Sequence, residues 1–302
     1  MATIPPESDD PFIDDIAVPA ADGFTLAATL FLPRGTRSHA VLINSATAVP
    51  RRIYKSFASY LAGRGCVVLT YDYRGVGGSR PKSLVGFKAT MADWAVLDMT
   101  ATVSWMRERY GQWPLRFVGH SFGGQALGLL PNNAEVSRTL LVAAQAGYWG
   151  LMTAPENYRV YAFMNFVGVP LTRLLGYAPG FMGIGEDLPK DAFLQWTAWV
   201  MSKRYMFDDA NLPALANFPN YTGGMRAYTF TDDPWATPAA VELLCAQYTG
   251  TTPEIIKLAP ADIGTQKIGH MGFFRPEQKA VLWKAAADWL LEAAQPGQAR
   301  AS

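Results

Sequence analysis

Four short apolar runs alternate with stretches of helical spacing, and this alternation limits the fold more than any other feature of the chain. AVLINSA (residues 40–46), CVVLTYDYR (66–74), LRFVGH (115–120) and TLLVAAQ (139–145) read as buried strands. Between the first two, Tyr54, Phe57, Ala58 and Leu61 share a helical face, and the GRG at 63–65 ends that helix. Trp94, Leu97, Ala101 and Trp105 do the same over residues 91–110. Apolar strands alternating with such helices pack as an α/β fold, a mostly parallel doubly wound sheet with helices on both faces. FTLAATLFLP (24–33) reads as a further strand after a turn at Asp22-Gly23, and residues 1–15 as a loose arm.

The alternation stops near residue 146. Residues 146–224 are rich in aromatics and in Pro/Gly spacing, and they read as an inserted, mostly helical cap. MRAYTFTDD (225–233) and EIIKL (254–258) resume the strand pattern, and residues 276–294 close the chain as a helix with Leu282, Ala286, Trp289 and Ala293 on one face. The expected division is therefore core 1–145, cap 146–224 and core 225–302. Phe193, Trp196, Trp199 and Val200 share one helical face in the cap, so some of them pack inward.

Half of the 302 residues are hydrophobic, enough for a sizeable core. Lys plus Arg number 26 against 25 for Asp plus Glu, and the charges are scattered. A nucleic-acid partner is not expected from that balance. Asn165, Pro170 and Arg173 interrupt the most apolar stretch, 160–185, so no stable membrane insertion is expected. The N-terminus is acidic and Pro-rich, unlike a signal peptide, and a cytoplasmic location is the expectation. Cys66 and Cys245 stand far apart in apolar contexts and read as buried free thiols.

Three glycines surround one serine in GHSFGG (119–124), directly after an apolar strand. A strand that turns sharply into a helix strains the residue at its apex, and small neighbours at −2 and +2 let the two elements pass closely. The side chain of Ser121 then stands free, and the N–H of Phe122 points at the space beside it, at a helix N-terminus that favours negative charge. Composition alone yields about 0.1 chance matches to this pattern per chain. A serine that merely fits a tight turn is the alternative.

A serine nucleophile needs a base. Of three histidines, His120 lies within the elbow with its side chain aimed away from Ser121 and reads as structural. His39 precedes a strand in a polar loop and reads as a solvated surface residue. His270, in KIGHMGFF, follows the last apolar strand, and in a parallel sheet that loop opens at the same carboxyl edge as the elbow. A carboxylate should orient the imidazole. FTDDPWATP (230–238) supplies Asp233 at the strand tip, with Asp232 as the alternative.

These residues resemble the α/β-hydrolase superfamily over nearly the whole chain. The order Ser121, Asp233, His270 matches that fold's nucleophile, acid and base. YDYRGVGGS (71–79) looks like the family's Asp-x-Arg-Gly-x-Gly-x-Ser loop. Asn44-Ser45 stand where many members have His-Gly, and the resemblance maps the second oxyanion N–H onto Ala46. NSATAVPRRIY with IGHMGFFR is similar to a bacterial subgroup of predicted serine hydrolases, serine-aminopeptidase- or esterase-like.

The expected function is a serine hydrolase of the carboxylesterase type, acting without cofactor on a small-molecule ester, thioester, amide or lactone with an apolar acyl or aromatic group. An acyltransferase on the same triad and a non-catalytic ligand receptor are the alternatives. A homodimer remains open. The near match to a dinucleotide fingerprint in RGVGGSR lacks its third glycine and opens no helix. No HExxH and no Cys/His cluster is present, so no metal is expected.

Overall fold

The apolar runs become the middle of one sheet. In the computed structural model, which describes residues 10–292, ten strands form: β1 (Phe12–Pro19), β2 (Thr25–Leu32), β3 (His39–Asn44), β4 (Cys66–Tyr71), β5 (Leu115–His120), β6 (Arg138–Val142), β7 (Tyr177–Ala178), β8 (Leu188–Pro189), β9 (Gly224–Phe230) and β10 (Glu254–Leu258). Eight of them make the main sheet, in the order β1-β2-β4-β3-β5-β6-β9-β10. From β4 to β10 every pairing is parallel, and β1 and β2 join antiparallel at one edge. Every residue of β4 and β5 is buried, which is why those runs show no alternation: helices cover both faces.

The strand β1 corrects the reading of residues 12–15 as part of a loose arm; residues 1–9 of that arm lie outside the described residues. β1 is an edge strand with most of its side chains exposed, so its sequence, FIDDIAVP, has no apolar face to reveal it. Helix Pro238–Cys245 and the small β7–β8 hairpin also lacked a periodic signal long enough to read. The expected helices form, each with a distorted portion. Lys55–Gly63 is preceded by a 3₁₀ turn at Arg51–Tyr54, and the 91–110 run contains a π-helical stretch at Trp94–Met99. That run starts cleanly because Thr90 and Asp93 cap one another: Thr90 Oγ1 accepts from Asp93 N at 3.0 Å, and Asp93 Oδ2 accepts from Thr90 N at 2.8 Å.

Between β6 and β9 the chain runs through helices Glu156–Ala162, Val169–Leu175 and Lys190–Met201. The loop before the last of these ties the segment to the sheet edge. Glu186 accepts from Gly77 N at 3.0 Å and pairs with Arg52 at 2.9 Å, and its own N–H donates to Ala48 O at 2.9 Å. Arg80 and Asp187 add an ion pair at 2.7 Å. The 75–79 loop is also held from within: Gly78 N donates to Asp72 Oδ2 at 2.8 Å, and Ser79 Oγ to Asp72 O at 2.7 Å.

Cys66 and Cys245 are buried and unpaired, and burial pushes both thiols up to about 12. Neither should react with a thiol reagent such as Ellman's until the protein is denatured; rapid reaction of either in native buffer would contradict the packing described here.

Candidate active site

The backbone at Ser121 sits at φ 50° and ψ −119°, a region that a non-glycine residue occupies only under constraint. Three hydrogen bonds hold it there. Ser121 N donates to Val142 O at 3.0 Å, and Ser121 O accepts from Gly124 N and Gln125 N at 2.9 and 3.0 Å. The flanking glycines are needed for close approach: a Cβ on Gly119 would overlap Gly124, and one on Gly123 would overlap the Asn44 carbonyl. Below the turn, the Phe122 ring packs edge-on against Trp94 and Tyr73, at centroid distances of 5.6 and 5.9 Å.

Ser121, His270 and Asp233 meet at the carboxyl edge of the sheet. His270 Nε2 lies 2.9 Å from Ser121 Oγ, and His270 Nδ1 lies 2.7 Å from Asp233 Oδ2. The second Asp233 oxygen accepts from Trp235 N at 2.9 Å and Ala236 N at 3.2 Å. Burial opposes the charge on Asp233, but His270 and those two N–H groups outweigh it and hold the carboxyl below its usual value. An ionised Asp233 makes Nδ1 the protonated nitrogen, leaving Nε2 free to accept from the serine hydroxyl. Asp232 faces elsewhere: its Oδ2 accepts from Ile268 N at 2.8 Å and Gly269 N at 3.0 Å, fastening the loop that presents His270.

His120 is fully buried beside the site. Its Nε2 is 2.8 Å from the His270 carbonyl oxygen and can only donate there, so Nδ1 accepts, from Tyr54 Oη at 2.8 Å. Burial first, and then neighbouring His270, push His120 down to about 3. It therefore stays neutral at physiological pH. Tyr54 Oη also accepts from Ala46 N at 2.9 Å. Ala46 lines the cavity beside Ser121, yet its N–H is already paired with this hydroxyl, which corrects the reading of Ala46 as a free oxyanion donor. The N–H of Thr47, which also lines the cavity, has no hydrogen-bond acceptor among the described residues. A second correction concerns His39: it opens β3 and is half-buried, with Nδ1 2.9 Å from Ser38 Oγ, and burial followed by Arg116 lowers it to about 4.

A cavity of about 390 Å³ opens over Ser121 and His270. Its apolar wall comes largely from the segment between β6 and β9, with Met152, Val160, Phe163, Met164 and Trp196. Trp196 is the member of the predicted aromatic face that reaches the cavity; Phe193, Trp199 and Val200 are buried in packing. Trp235, two residues after Asp233, donates from Nε1 to Glu156 Oε1 at 3.0 Å and so links that segment to the loop that carries Asp233. Tyr54, Glu156 and Trp235 escaped sequence reading because their partners are distant in the chain. Gln125 could have been found, since it lies one helical turn after Ser121. Among the described residues no group of three or more His, Cys, Asp or Glu could hold a metal ion, and no helix is long and apolar enough to cross a membrane.

The model of the alpha/beta hydrolase family matches residues 40–280. The chain belongs to that family. Solved structures with the same fold include the esterase Pf2001 of Pyrococcus furiosus, at TM-score 0.62 and 14% identity, covering 97% of this chain and 96% of that one. The enol-lactonase of Burkholderia xenovorans superposes at TM-score 0.56 with 16% identity over 92% and 100% of the two chains. Est1E of Butyrivibrio proteoclasticus, solved with ferulic acid bound, gives 0.60 and 14% over 91% and 98%. No curated protein matches the sequence. In this alpha/beta hydrolase, the elbow and the two loops facing it lie where the parallel sheet delivers them.

Two outcomes follow from the buried groups. Tyr54→Phe strands both Ala46 N–H and His120 Nδ1, at about 1–3 kcal/mol each, and urea denaturation should register the loss. The depressed histidines make the fold acid-sensitive. Below their ordinary value of 6.5, the unfolded chain binds protons that native His120 and His39 refuse until about 3 and 4. Stability is therefore fully present above pH 6.5 and is lost as the pH falls toward 3, and His120→Asn should flatten that slope in denaturation measured from pH 7 to 4.

Proposed function

We propose that this chain is a serine hydrolase of the carboxylesterase type, acting on an ester, or a related thioester, amide or lactone, whose acyl or alcohol part is largely apolar. The observation that carries the proposal is the continuous contact of Asp233, His270 and Ser121, at 2.7 and 2.9 Å, at a strained elbow that faces a mainly apolar cavity.

The reaction follows from the tautomer. Ser121 Oγ attacks the acyl carbon while His270 Nε2 takes its proton. Asp233, held by two backbone N–H groups, keeps Nδ1–H in place and stabilises the imidazolium. Phe122 N–H, at the first turn of the helix after the elbow, donates to the oxyanion, and Thr47 N–H is the second donor because Ala46 N–H is engaged with Tyr54. His270 returns the proton to the leaving group. Water, deprotonated by the same nitrogen, then attacks the acyl-enzyme and releases the acid. Membership of the alpha/beta hydrolase family and the fold shared with esterases support this reading.

The test is hydrolysis of p-nitrophenyl esters from C2 to C16, beside labelling by a fluorophosphonate. Ser121→Ala should lose both label and turnover, the latter by on the order of 10⁴- to 10⁶-fold. Asp233→Asn should cost about 10⁴-fold in kcat, through the wrong tautomer. Asp232→Asn, whose oxygen can still accept from Ile268 N, should cost far less. Ester turnover that survives Ser121→Ala would overturn the proposal.

A further inference from the structure

Gln125, Gln145 and Tyr205 are nearly fully buried, at 3%, 2% and 1% exposure, and all three line the cavity over Ser121. They arrive from separate places: the elbow helix, the segment after β6, and the 3₁₀ turn after helix Lys190–Met201. Tyr205 Oη lies 3.0 Å from Gln125 Oε1, and Gln125 Nε2 lies 3.3 Å from Gln145 Oε1. Tyr205 is built into this position. Its backbone is at φ 58°, its ring packs edge-on against Trp199 at 5.8 Å, and a Cβ on Gly147 would come within 3.0 Å of that ring.

The chain of bonds has one direction. Burial pushes the Tyr205 phenol far above its usual value, so it keeps its proton. Among the described residues its one acceptor is Gln125 Oε1, which fixes the Gln125 amide with its nitrogen toward Gln145. Gln145 must answer with its oxygen. Its Nε2 is left with no partner among the described residues, and the cavity is the space this side chain lines. That amide donor is open to the cavity, and a ligand that brings an acceptor to it gains a hydrogen bond that an analogue without one lacks.

We infer that Gln145, aligned by Gln125 and Tyr205, is a subsite for a hydrogen-bond-accepting oxygen that the substrate carries away from its scissile carbonyl. This rests on the serine-hydrolase reading and narrows it: the substrate is a largely apolar ester bearing a keto or ether oxygen in its acyl or alcohol part. The methionine and aromatic wall takes the carbon skeleton, and Gln145 reads the oxygen.

The experiment uses matched esters, in which one methylene is exchanged for a ketone at successive positions along the acyl chain or for an ether oxygen along the alcohol. Wild type should prefer the oxygenated member at one position by about tenfold or more in kcat/KM, since a site that donates a hydrogen bond discriminates against the analogue lacking the acceptor. Gln145→Met, which keeps the length and removes the donor, should bring that ratio close to one, and Tyr205→Phe, which frees the Gln125 amide to turn, should reduce it. If Gln145→Met does not fold, Gln145→Glu, with an acceptor in place of the donor, must abolish the preference. No preference at any position, or a preference that survives these variants, overturns the subsite while ester turnover and Ser121 labelling leave the hydrolase reading intact. Absence of both turnover and labelling overturns the two together.

Discussion

The strained turn at Ser121 is the constraint around which the rest of the molecule is arranged. A serine at positive φ is unfavourable by about 1–3 kcal/mol and persists only where its surroundings leave no alternative. Here β6 supplies an acceptor for its N–H, the next helix supplies two donors for its carbonyl, and two glycines remove the atoms that would prevent the crossing. The buried rings of Tyr73 and Trp94 then hold Phe122 from below. The elbow also sets what lies near it: one turn after Ser121, Gln125 enters the cavity wall.

Parallel pairing does the remaining long-range work. Because β3, β5, β9 and β10 run the same way, the loops leaving them emerge at one edge, and residues 149 positions apart come within hydrogen-bond reach. Neighbouring aspartates divide two tasks there. Asp233 orients the imidazole, while Asp232 binds the backbone that leads into His270. On the other side, the neutral His120 and Tyr54 connect the His270 backbone to the loop after β3. A charge on His120 would stand 5.3 Å from the His270 ring, and burial prevents it.

The segment between β6 and β9 converts an open edge into a cavity. It is tied down by ion pairs and backbone contacts through Glu186 and Asp187, and by the hydrogen bond between Glu156 and Trp235. Its contribution to the wall is mainly methionine and aromatic, with Glu156, Arg159, Gln145 and Tyr205 as the polar members.

The alternation of apolar runs with helical faces determined the sheet class, because buried parallel strands must be apolar on both sides. The glycine-flanked Ser121 and the chain order of Asp233 and His270 marked the three side chains that meet at the sheet edge, because a sharp turn and a strand tip leave local signatures. An edge strand such as β1 leaves none, since its side chains face solvent. The half-burial of His39, the choice between Asp232 and Asp233, and the pairing of Ala46 N–H with Tyr54 were decided only by the tertiary structure. Each depends on which distant backbone or side chain fills the last ångströms of space, and local residue pattern carries no record of that. The same holds for the cavity wall, where helical spacing placed Phe193, Trp196, Trp199 and Val200 together but only packing selected Trp196 to face the serine.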